Sequence, residues 1–197
     1  MIDKALLLIT SQLNQYILPI AGGDEVVLGN IALADQPDQA AIKDKVVVSI
    51  VNVEEESALK NGATYIIQGG NAKVHVNPIF LNLYVLFCAH YPNAYDTALS
   101  RLSKLIEFFQ QRKSFDLQSA QPLPGFLDPN SPEDAEISFT LDLFTLSFEQ
   151  VNHLWGSLGG KQMPFAVYKL RLVKIFDNRI IKQVPLIKEI QSELNSI

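Results

Sequence analysis

A run of apolar residues at 81–89 constrains the fold more than any other feature of the sequence. The run is almost continuously aliphatic or aromatic, and turns that begin at Asn77 and Pro92 bound it. It is too short to cross a membrane, which takes about 20 residues. Short apolar runs between turn residues are typical of strands buried on both faces of a sheet. We therefore predict a strand within residues 74–90 at the centre of the sheet.

Composition predicts one globular domain over residues 1–197. The chain is 48% hydrophobic and 19% charged, and its net charge is −5. No cluster of Lys and Arg is present, which argues against a nucleic-acid partner. Cys88 is the only cysteine, so no internal disulfide can form. The first residues resemble a signal peptide poorly, and we expect the chain to be made in the cytoplasm.

Three segments show helical patterns. Residues 2–18 repeat apolar residues at spacings of three and four, and we expect this helix to end before Pro19. Ser147 and Gln150 form a capping-box pattern that opens a helix running to about residue 158. The clearest helix follows Asn93, its predicted N-cap. Its predicted inward face comprises Tyr95, Ala98, Leu99, Leu102, Leu105, Ile106 and Phe109.

Four further segments are predicted strands, at residues 25–32, 45–53, 136–145 and 164–176. In the third, Ile137, Phe139, Leu141 and Leu143 alternate with polar residues and are predicted to face the core. The fourth carries Lys169, Arg171 and Lys174, which we interpret as a basic outer row. The predicted fold is α+β. It has a single twisted, mixed and mostly antiparallel sheet of about four to six strands, flanked by two to three helices.

Three other regions are less regular. Residues 54–72 contain Asn-Gly and Gly-Gly pairs, which favour a hairpin or an extended loop. Residues 119–135 form a proline-rich acidic loop, and long loops in compact domains are often functional. The C-terminal segment 181–197 has an apolar pattern, so it packs either on its own domain or on a neighbouring subunit.

No catalytic, cofactor-binding or metal-ligating residues are predicted. The three histidines and Cys88 lack the spacing of a zinc site or of a nucleophile with its base. The acidic residues 54–56 are interpreted as solvated charge. One alternative is a small ligand-binding or hydrolytic domain whose site combines His153, Asp142 and the 119–135 loop.

Four segments in the same order resemble the tail-terminator (cap) family of contractile phage-tail-like injection systems. They are residues 77–90, residues 95–110 with Phe115 after them, residues 146–159 and residues 163–173. The N-terminal helix fits as well, so the resemblance covers nearly the whole chain. The loops at 54–72 and 119–135 match no pattern of the family. We expect only the terminator module here, without the further C-terminal domain that some members carry.

The resemblance implies a structural protein that is not an enzyme and binds no cofactor. Such a protein forms a ring, expected to be a homo-hexamer, at the particle end distal to the baseplate. There it stops tube polymerisation and anchors the last sheath ring. Its implied partners are tube and sheath proteins, with no nucleic acid and no membrane. It would assemble in the cytoplasm and then belong to an intracellular or released particle. Another tail or baseplate component is the alternative within the same particle.

A set of residues is predicted to define either the fold or the interfaces. For Trp155 we favour a core anchor over an interface hot spot. For Arg171, a solvated charge and a contact with a carboxylate of a neighbouring chain are equally favoured. The set comprises Asn77, Pro78, Tyr84, Trp155, Pro164, Tyr168, Lys169 and Arg171.

Overall fold

The predicted buried strand is a central strand of a six-stranded sheet. In the computed structural model this strand, β5, spans Ile79–His90, and every residue from Val85 to His90 is buried. The prediction of a single segment starting at Val74 is wrong in one respect, because residues 71–75 form a separate strand in a second sheet. The structure describes residues 1–34, 36, 40–57, 65–68, 71–75, 78–120, 124–175 and 180–185.

The large sheet has six strands, in the order β1 (Val26–Leu28), β2 (Lys45–Glu55), β5, β8 (Phe165–Ile175), β7 (Ser138–Leu143) and β6 (Ser114–Asp116). Only β1 and β2 pair in parallel, and the other four pairs are antiparallel. The predicted mixed, mostly antiparallel sheet is therefore confirmed.

A smaller sheet of three antiparallel strands accompanies the large one. It consists of β3 (Tyr65–Gln68), β4 (Asn71–His75) and β9 (Ile180–Pro185), with β4 in the middle. The hairpin interpretation of the 54–72 region is confirmed for β3 and β4. The start of the predicted C-terminal segment is a strand, β9, while residues 186–197 of that segment lie outside the described residues.

The described residues form four α-helices around the large sheet. They are α1 (Ile2–Ala21), α2 (Tyr95–Gln111), the four-residue α3 (Pro132–Ala135) and α4 (Phe148–Ser157). The predicted end of α1 before Pro19 is wrong. The helix continues through Pro19 to Gly22, whose left-handed backbone (φ 75°) closes it with a bond to Leu18 O. A proline in the last turn removes one N–H donor but leaves the helical dihedral angles accessible.

Successive side chains of β8 belong alternately to two hydrophobic cores, one on each face of the sheet. Ala166, Tyr168 and Leu170 pack with α1 and α2 on what we call the front face of the sheet. Val167 packs with Trp155 of α4 on the back face, together with two 3₁₀ helices at Ile31–Leu33 and Ala40–Ile42. The sheet is thus buried on both faces, which explains the continuous apolar character of β5.

The front core is aromatic at its centre. The Phe87 ring lies 5.1 Å from Phe109 of α2 and 5.6 Å from Tyr168 of β8, measured between ring centroids. Full burial of one such side chain stabilises a fold by about 1.5–3 kcal/mol. This cluster fixes α2 against β5 and β8 and makes the sheet a rigid scaffold for the surfaces around it.

Candidate assembly surfaces

Two of the predicted residues are prolines at the starts of the central strands. Pro78 directly precedes β5 and Pro164 directly precedes β8, and both are half-buried. The carbonyl oxygen of Pro164 accepts a hydrogen bond from the N–H of Ala89 at 2.9 Å, which extends the β5–β8 pairing by one step. Proline fits the first position of a strand because it has no N–H to donate to the ladder. Asn77 lies outside the described residues.

Two others are core residues on opposite faces. Tyr168 is 3% exposed in the front core, where burial raises the pKa of its hydroxyl to about 12. Trp155 is 4% exposed in the back core and meets Phe165 edge-on at 5.4 Å. Neither side chain presents a large surface to a partner. The favoured interpretation of Trp155 as a core anchor agrees with this position.

Tyr84 and Lys169 belong to a small cluster on the back face of the sheet. The Tyr84 hydroxyl donates to Glu54 Oε2 at 2.8 Å, and Lys169 Nζ lies 3.1 Å from the same oxygen. The ammonium also sits 5.1 Å from the centroid of the Tyr84 ring. The hydrogen bond from Tyr84 and the adjacent Lys169 charge lower the pKa of Glu54. The Glu54 charge is therefore shared by two neighbours from β5 and β8.

Arg171 binds a carboxylate of its own chain. Its Nε lies 3.0 Å from Asp142 Oδ2 on the adjacent strand β7, and both side chains are about half exposed. The expected basic outer row is therefore charge-compensated at both Lys169 and Arg171. Arg171 is half exposed on a strand face, and the carboxylate that it contacts within the described structure belongs to its own chain. Opposite charges on neighbouring strands stabilise a sheet by roughly 0.2–1 kcal/mol.

The apolar surface that is left uncovered lies elsewhere, on α2. Tyr95, Leu99 and Ile106 are 66%, 44% and 38% exposed, so the prediction that they face the core is wrong. Together with the buried apolar residues of α2, these three residues cover about half of the helix circumference. A helix needs an apolar face only about 100° wide to pack on a core. That excess width is the signal that the sequence offered. We call these three residues the α2 stripe.

A groove next to the α2 stripe opens between α2 and β7. It has a volume of about 230 Å³, and Ile106, Phe109, Leu141 and Leu143 are among its lining residues. Leu143 is 56% exposed, so its predicted core position is also wrong. No helix of the described residues covers this end of β7, and the alternating pattern therefore continues past the core into solvent.

The backbone edge of β7 is open at the same place. Strand β6 pairs with β7 only through Thr140, whereas β8 pairs with it as far as Leu143. The N–H of Phe144 bonds Val167 O at 2.8 Å, so the peptide groups of Leu143 point away from β8 because antiparallel bonds alternate. Within the described part of the chain, no strand occupies that side of Leu143. Open strand edges are templates for pairing with another chain.

The opposite edge of the sheet is closed by a side chain. Asn14 of α1 donates to Val26 O at 2.8 Å and accepts from the N–H groups of Val26 and Glu25 at 2.8 and 2.9 Å. These are the outward-facing peptide groups at the start of β1. One amide side chain therefore takes the place of a neighbouring strand at Val26.

A second uncovered apolar surface lies on the back face. Phe148, the first residue of α4, is 97% exposed. It borders a groove of about 440 Å³ whose walls include Trp155, Gly156 and Phe165. We call this the α4 groove. No sequence signal marks this surface, because a helical pattern shows which residues can be apolar and not which of them find a partner.

The predicted residues of the hydrolytic alternative are not brought together by any described contact. His153 is 79% exposed, with Nε2 3.8 Å from Glu149 Oε1, whereas Asp142 contacts Arg171. Cys88 is buried, which raises the pKa of its thiol to about 12. Among the described residues, no three His, Cys, Asp or Glu side chains could hold a metal ion. None of the described helices is long and apolar enough to cross a membrane.

The family model of the Pvc16 N-terminal domain matches residues 6–189. This match covers more than nine-tenths of the chain. The chain belongs to the Pvc16 N-terminal domain family. No curated protein sequence matches it.

Two solved structures share the fold of this family member. One is the sheath/tube terminator of PVC, an extracellular contractile injection system, in its extended state, with a TM-score of 0.61 and 10% identity over 100% of this chain. The other is the tube-terminating cap of the anti-feeding prophage (AFP), with a TM-score of 0.64 and 12% identity over 98% of this chain. The chain spans 62% and 60% of the lengths of these two proteins. The resemblance to tail terminators is thereby confirmed.

Proposed function

We propose that this protein caps the end of the tube and sheath of a contractile injection particle, ending tube polymerisation and anchoring the last sheath ring. The observation that carries the proposal is the fold. Almost the entire chain superposes on two proteins that are themselves a sheath/tube terminator and a tube-terminating cap. Family membership over residues 6–189 supports the same role.

The uncovered surfaces support an assembly role. The α2 stripe, the open edge of β7 and the α4 groove offer apolar and hydrogen-bonding contacts outside both cores. Soluble monomers rarely expose large apolar patches, and such patches usually mark sites of interaction with another molecule. We assign the open edge of β7 and the α2 stripe to contacts with tube or sheath protein. We assign self-association into a homo-hexameric ring to the α4 groove.

The proposed role involves no catalysis, no cofactor, no nucleic acid and no membrane. The net charge of −5 supports protein partners over a polyanionic one. The charged residues of the back face, Glu54, Lys169, Asp142 and Arg171, are arranged in pairs that stabilise the sheet. The protein would assemble with the particle in the cytoplasm and remain part of it afterwards.

Deletion of the gene tests the function directly. We expect electron micrographs of particles from the deletion strain to show tubes of uneven and excessive length with detached sheaths, and we expect the restored gene to correct both. Tubes and sheaths of normal, uniform length in the deletion strain would refute the proposal. Particles that lack a baseplate, with tube length unaffected, would instead favour the other tail-component alternative.

The mass of the assembled protein tests the ring. A ring of six 21.9 kDa chains has a mass of about 131 kDa. We expect this mass in native mass spectrometry of the full chain, alone or after addition of purified tubes. A monomer under both conditions would contradict the ring and leave the fold-based assignment to be judged by the deletion experiment.

A further inference from the structure

The connection between β7 and β8 carries α4 and meets the sheet mainly through side chains. On the β7 side, the last backbone bond to the sheet runs from the N–H of Phe144 to Val167 O at 2.8 Å. On the β8 side, the N–H of Ala89 bonds Pro164 O at 2.9 Å. Between these bonds lie residues 145–160, which we call the α4 segment. Within the described part of the chain, the hydrogen bonds and ion pairs of the α4 segment stay inside it.

The helix α4 satisfies backbone groups at both of its own ends. Ser147 and Gln150 form the capping box at its start. At its end, the N–H of Gly160 bonds Trp155 O at 2.7 Å. Helix ends otherwise present N–H and C=O groups that need partners elsewhere. Movement of α4 away from the sheet would therefore break apolar contacts and none of these hydrogen bonds.

Burial holds α4 less firmly than it holds α2. Trp155, at 4% exposed, is the one buried residue of α4, and Val151 and Leu154 are half-buried. The buried residues of α2 are Ala98, Leu105, Phe108 and Phe109. Most of the free energy that keeps a short helix in a protein comes from the packing of its apolar face. A single buried anchor therefore makes α4 the easier of the two helices to detach.

The anchor of α4 carries an unfavourable contribution of its own. The indole Nε1 of Trp155 is buried and has no hydrogen-bond partner within the described part of the chain. Buried indole N–H groups usually have a partner, and a buried donor without one reduces stability. Water supplies a partner as soon as α4 moves away from the sheet. The unpaired donor therefore lowers the free energy that separation of α4 requires.

Both ends of the α4 segment can change direction. Gly159 and Gly160 follow α4 with φ angles of 104° and 80°, which other residues rarely adopt. A Cβ added at either glycine would meet no heavy atom of the described residues within 4 Å, so the turn has space around it. At the other end, Thr145 is exposed and Leu146 is half-buried. Hinges are formed by a few loop residues of this kind, which absorb the change in backbone angles.

Separation of α4 changes which surface the back face presents. The walls of the α4 groove include Phe148 and Trp155 of α4 together with Phe165 of β8, so the groove exists only while α4 lies on the sheet. Movement of α4 would instead uncover Val167, which packs with Trp155 in the back core. Leu86, the partner of Val167 on β5, belongs to the same core. The back face therefore has one apolar surface with α4 in place and a different one without it.

We propose that the α4 segment is a lid on the back core, and that it opens as one unit about Leu146 and Gly159–Gly160 while the front core stays folded. The inference goes beyond the proposed function, because it concerns a motion of a single protomer. Lid opening switches the back face from the α4 groove to the apolar surface around Val167. The position of one helix thus decides which of the two surfaces another chain can meet.

Amide hydrogen exchange, followed residue by residue by NMR on the full chain, tests the lid. An isolated helix of 10 residues is marginal in water, so α4 loses its hydrogen bonds once it leaves the sheet. We expect the amides of residues 152–158 to share one protection factor. It should be at least about a hundredfold lower than that of residues 102–109 in α2, which has more buried side chains. Protection that rises gradually from the ends of α4 inward, or that equals the protection of α2, would overturn the inference.

Two variants separate lid opening from global unfolding. Ile9→Val shortens a fully buried side chain of α1 in the front core, which is folded whether the lid is open or closed. We expect it to lower protection in α2 by about fivefold and to leave protection in α4 unchanged. Leu154→Ala weakens only the closed lid, so it should lower protection in both helices by the same factor. The lid is refuted if Ile9→Val lowers protection equally in α2 and α4, or if Leu154→Ala leaves α4 unchanged.

The dependence of exchange on urea tests the same point without a variant. The slope of the opening free energy against urea concentration rises with the surface that the opening exposes. Lid opening exposes part of the back core, whereas global unfolding exposes both cores. We therefore expect the slope for α4 to be less than about half of the slope for α2. Equal slopes for the two helices would show that α4 separates only when the whole protein unfolds, and would overturn the inference.

Discussion

At one edge of the large sheet, Asn14 of α1 binds the outward-facing peptide groups of β1, whereas at the other edge Leu143 of β7 leaves its peptide groups open beside an apolar groove. Both edges belong to the same rigid scaffold, so the difference is one of cover. An edge that is satisfied by a side chain cannot accept a further strand. The difference teaches that the two edges of this sheet are not equivalent, and it is the reason that we assign contact with another chain to the β7 edge.

Removing the side chain that closes the β1 edge should have the largest effect. Asn14→Leu deletes three hydrogen bonds and leaves the buried Val26 N–H without an acceptor. We expect a loss of about 3 kcal/mol in the free energy of unfolding, measured by urea denaturation, because unsatisfied buried groups each cost about 1–3 kcal/mol. We also expect increased light scattering, since a second edge becomes available.

Gln15→Leu is the matched control for this change. Gln15 is the next residue of α1 and is exposed, so its replacement should alter stability by less than about 0.5 kcal/mol. If the two variants unfold at the same urea concentration, the Asn14 hydrogen bonds do not stabilise this edge.

The second prediction concerns the far end of α1, where Lys4 binds the 1% exposed Asp134 of the loop beside the β6–β7 side of the sheet. Burial alone would raise the pKa of Asp134, but the Asp128 N–H and the Lys4 ammonium lower it below its usual 3.8. A carboxyl group whose pKa is lowered by folding stabilises the folded state at pH values above its ordinary pKa. That stabilisation is lost as the pH falls through the folded pKa, here below pH 3.8.

Asp134→Asn should therefore reduce stability at pH 7 by about 2 kcal/mol, because hydrogen bonds to charged groups contribute about 1.5–3 kcal/mol. Urea denaturation across pH 2–7 should show that the variant lacks this acid-sensitive component. Glu133→Gln, at the exposed neighbouring position, should retain it. An equal acid dependence in the wild type and Asp134→Asn would show that α1 does not stabilise the loop through this pair.

The smallest effect on stability is expected at the open edge. Leu143 is 56% exposed, so Leu143→Lys should change the free energy of unfolding by less than about 0.5 kcal/mol. A lysine on an edge strand nevertheless opposes pairing with another chain. We expect fewer capped tubes in micrographs, whereas Thr145→Lys, an exposed position just past β7, should cap normally. Normal capping with Leu143→Lys would assign tube and sheath contact to another surface.

Local sequence patterns predicted the secondary structure best where the contacts that define an element lie within that element. In α4, the Ser147 hydroxyl accepts from the Gln150 N–H at 3.2 Å and Gln150 Oε1 accepts from the Ser147 N–H at 2.9 Å, as the capping-box pattern indicated. Strand β5 was also located correctly, because burial on both faces leaves a continuous apolar run. These signals are complete within a few residues.

Predictions that depended on the surroundings were less successful. Asn93 is not the N-cap of α2, which begins at Tyr95 after Ala94. The N–H of Ala94 bonds Tyr91 O at 3.2 Å, so a turn that starts directly after β5 sets the entry to the helix. The closure of β1 by Asn14 had no sequence signal, because an asparagine within an amphipathic helix is compatible with ordinary solvent exposure.

The apolar periodicity of the chain by itself determined its class, its central strand and the number of its long helices, since each follows from contacts between residues close in sequence. Tertiary structure alone decided which apolar residues became core and which became surface. The α2 stripe, Leu143 and Phe148 have the same side-chain chemistry as their buried neighbours. They differ only in whether another element lies within contact distance, and that is set by how distant segments meet across the sheet.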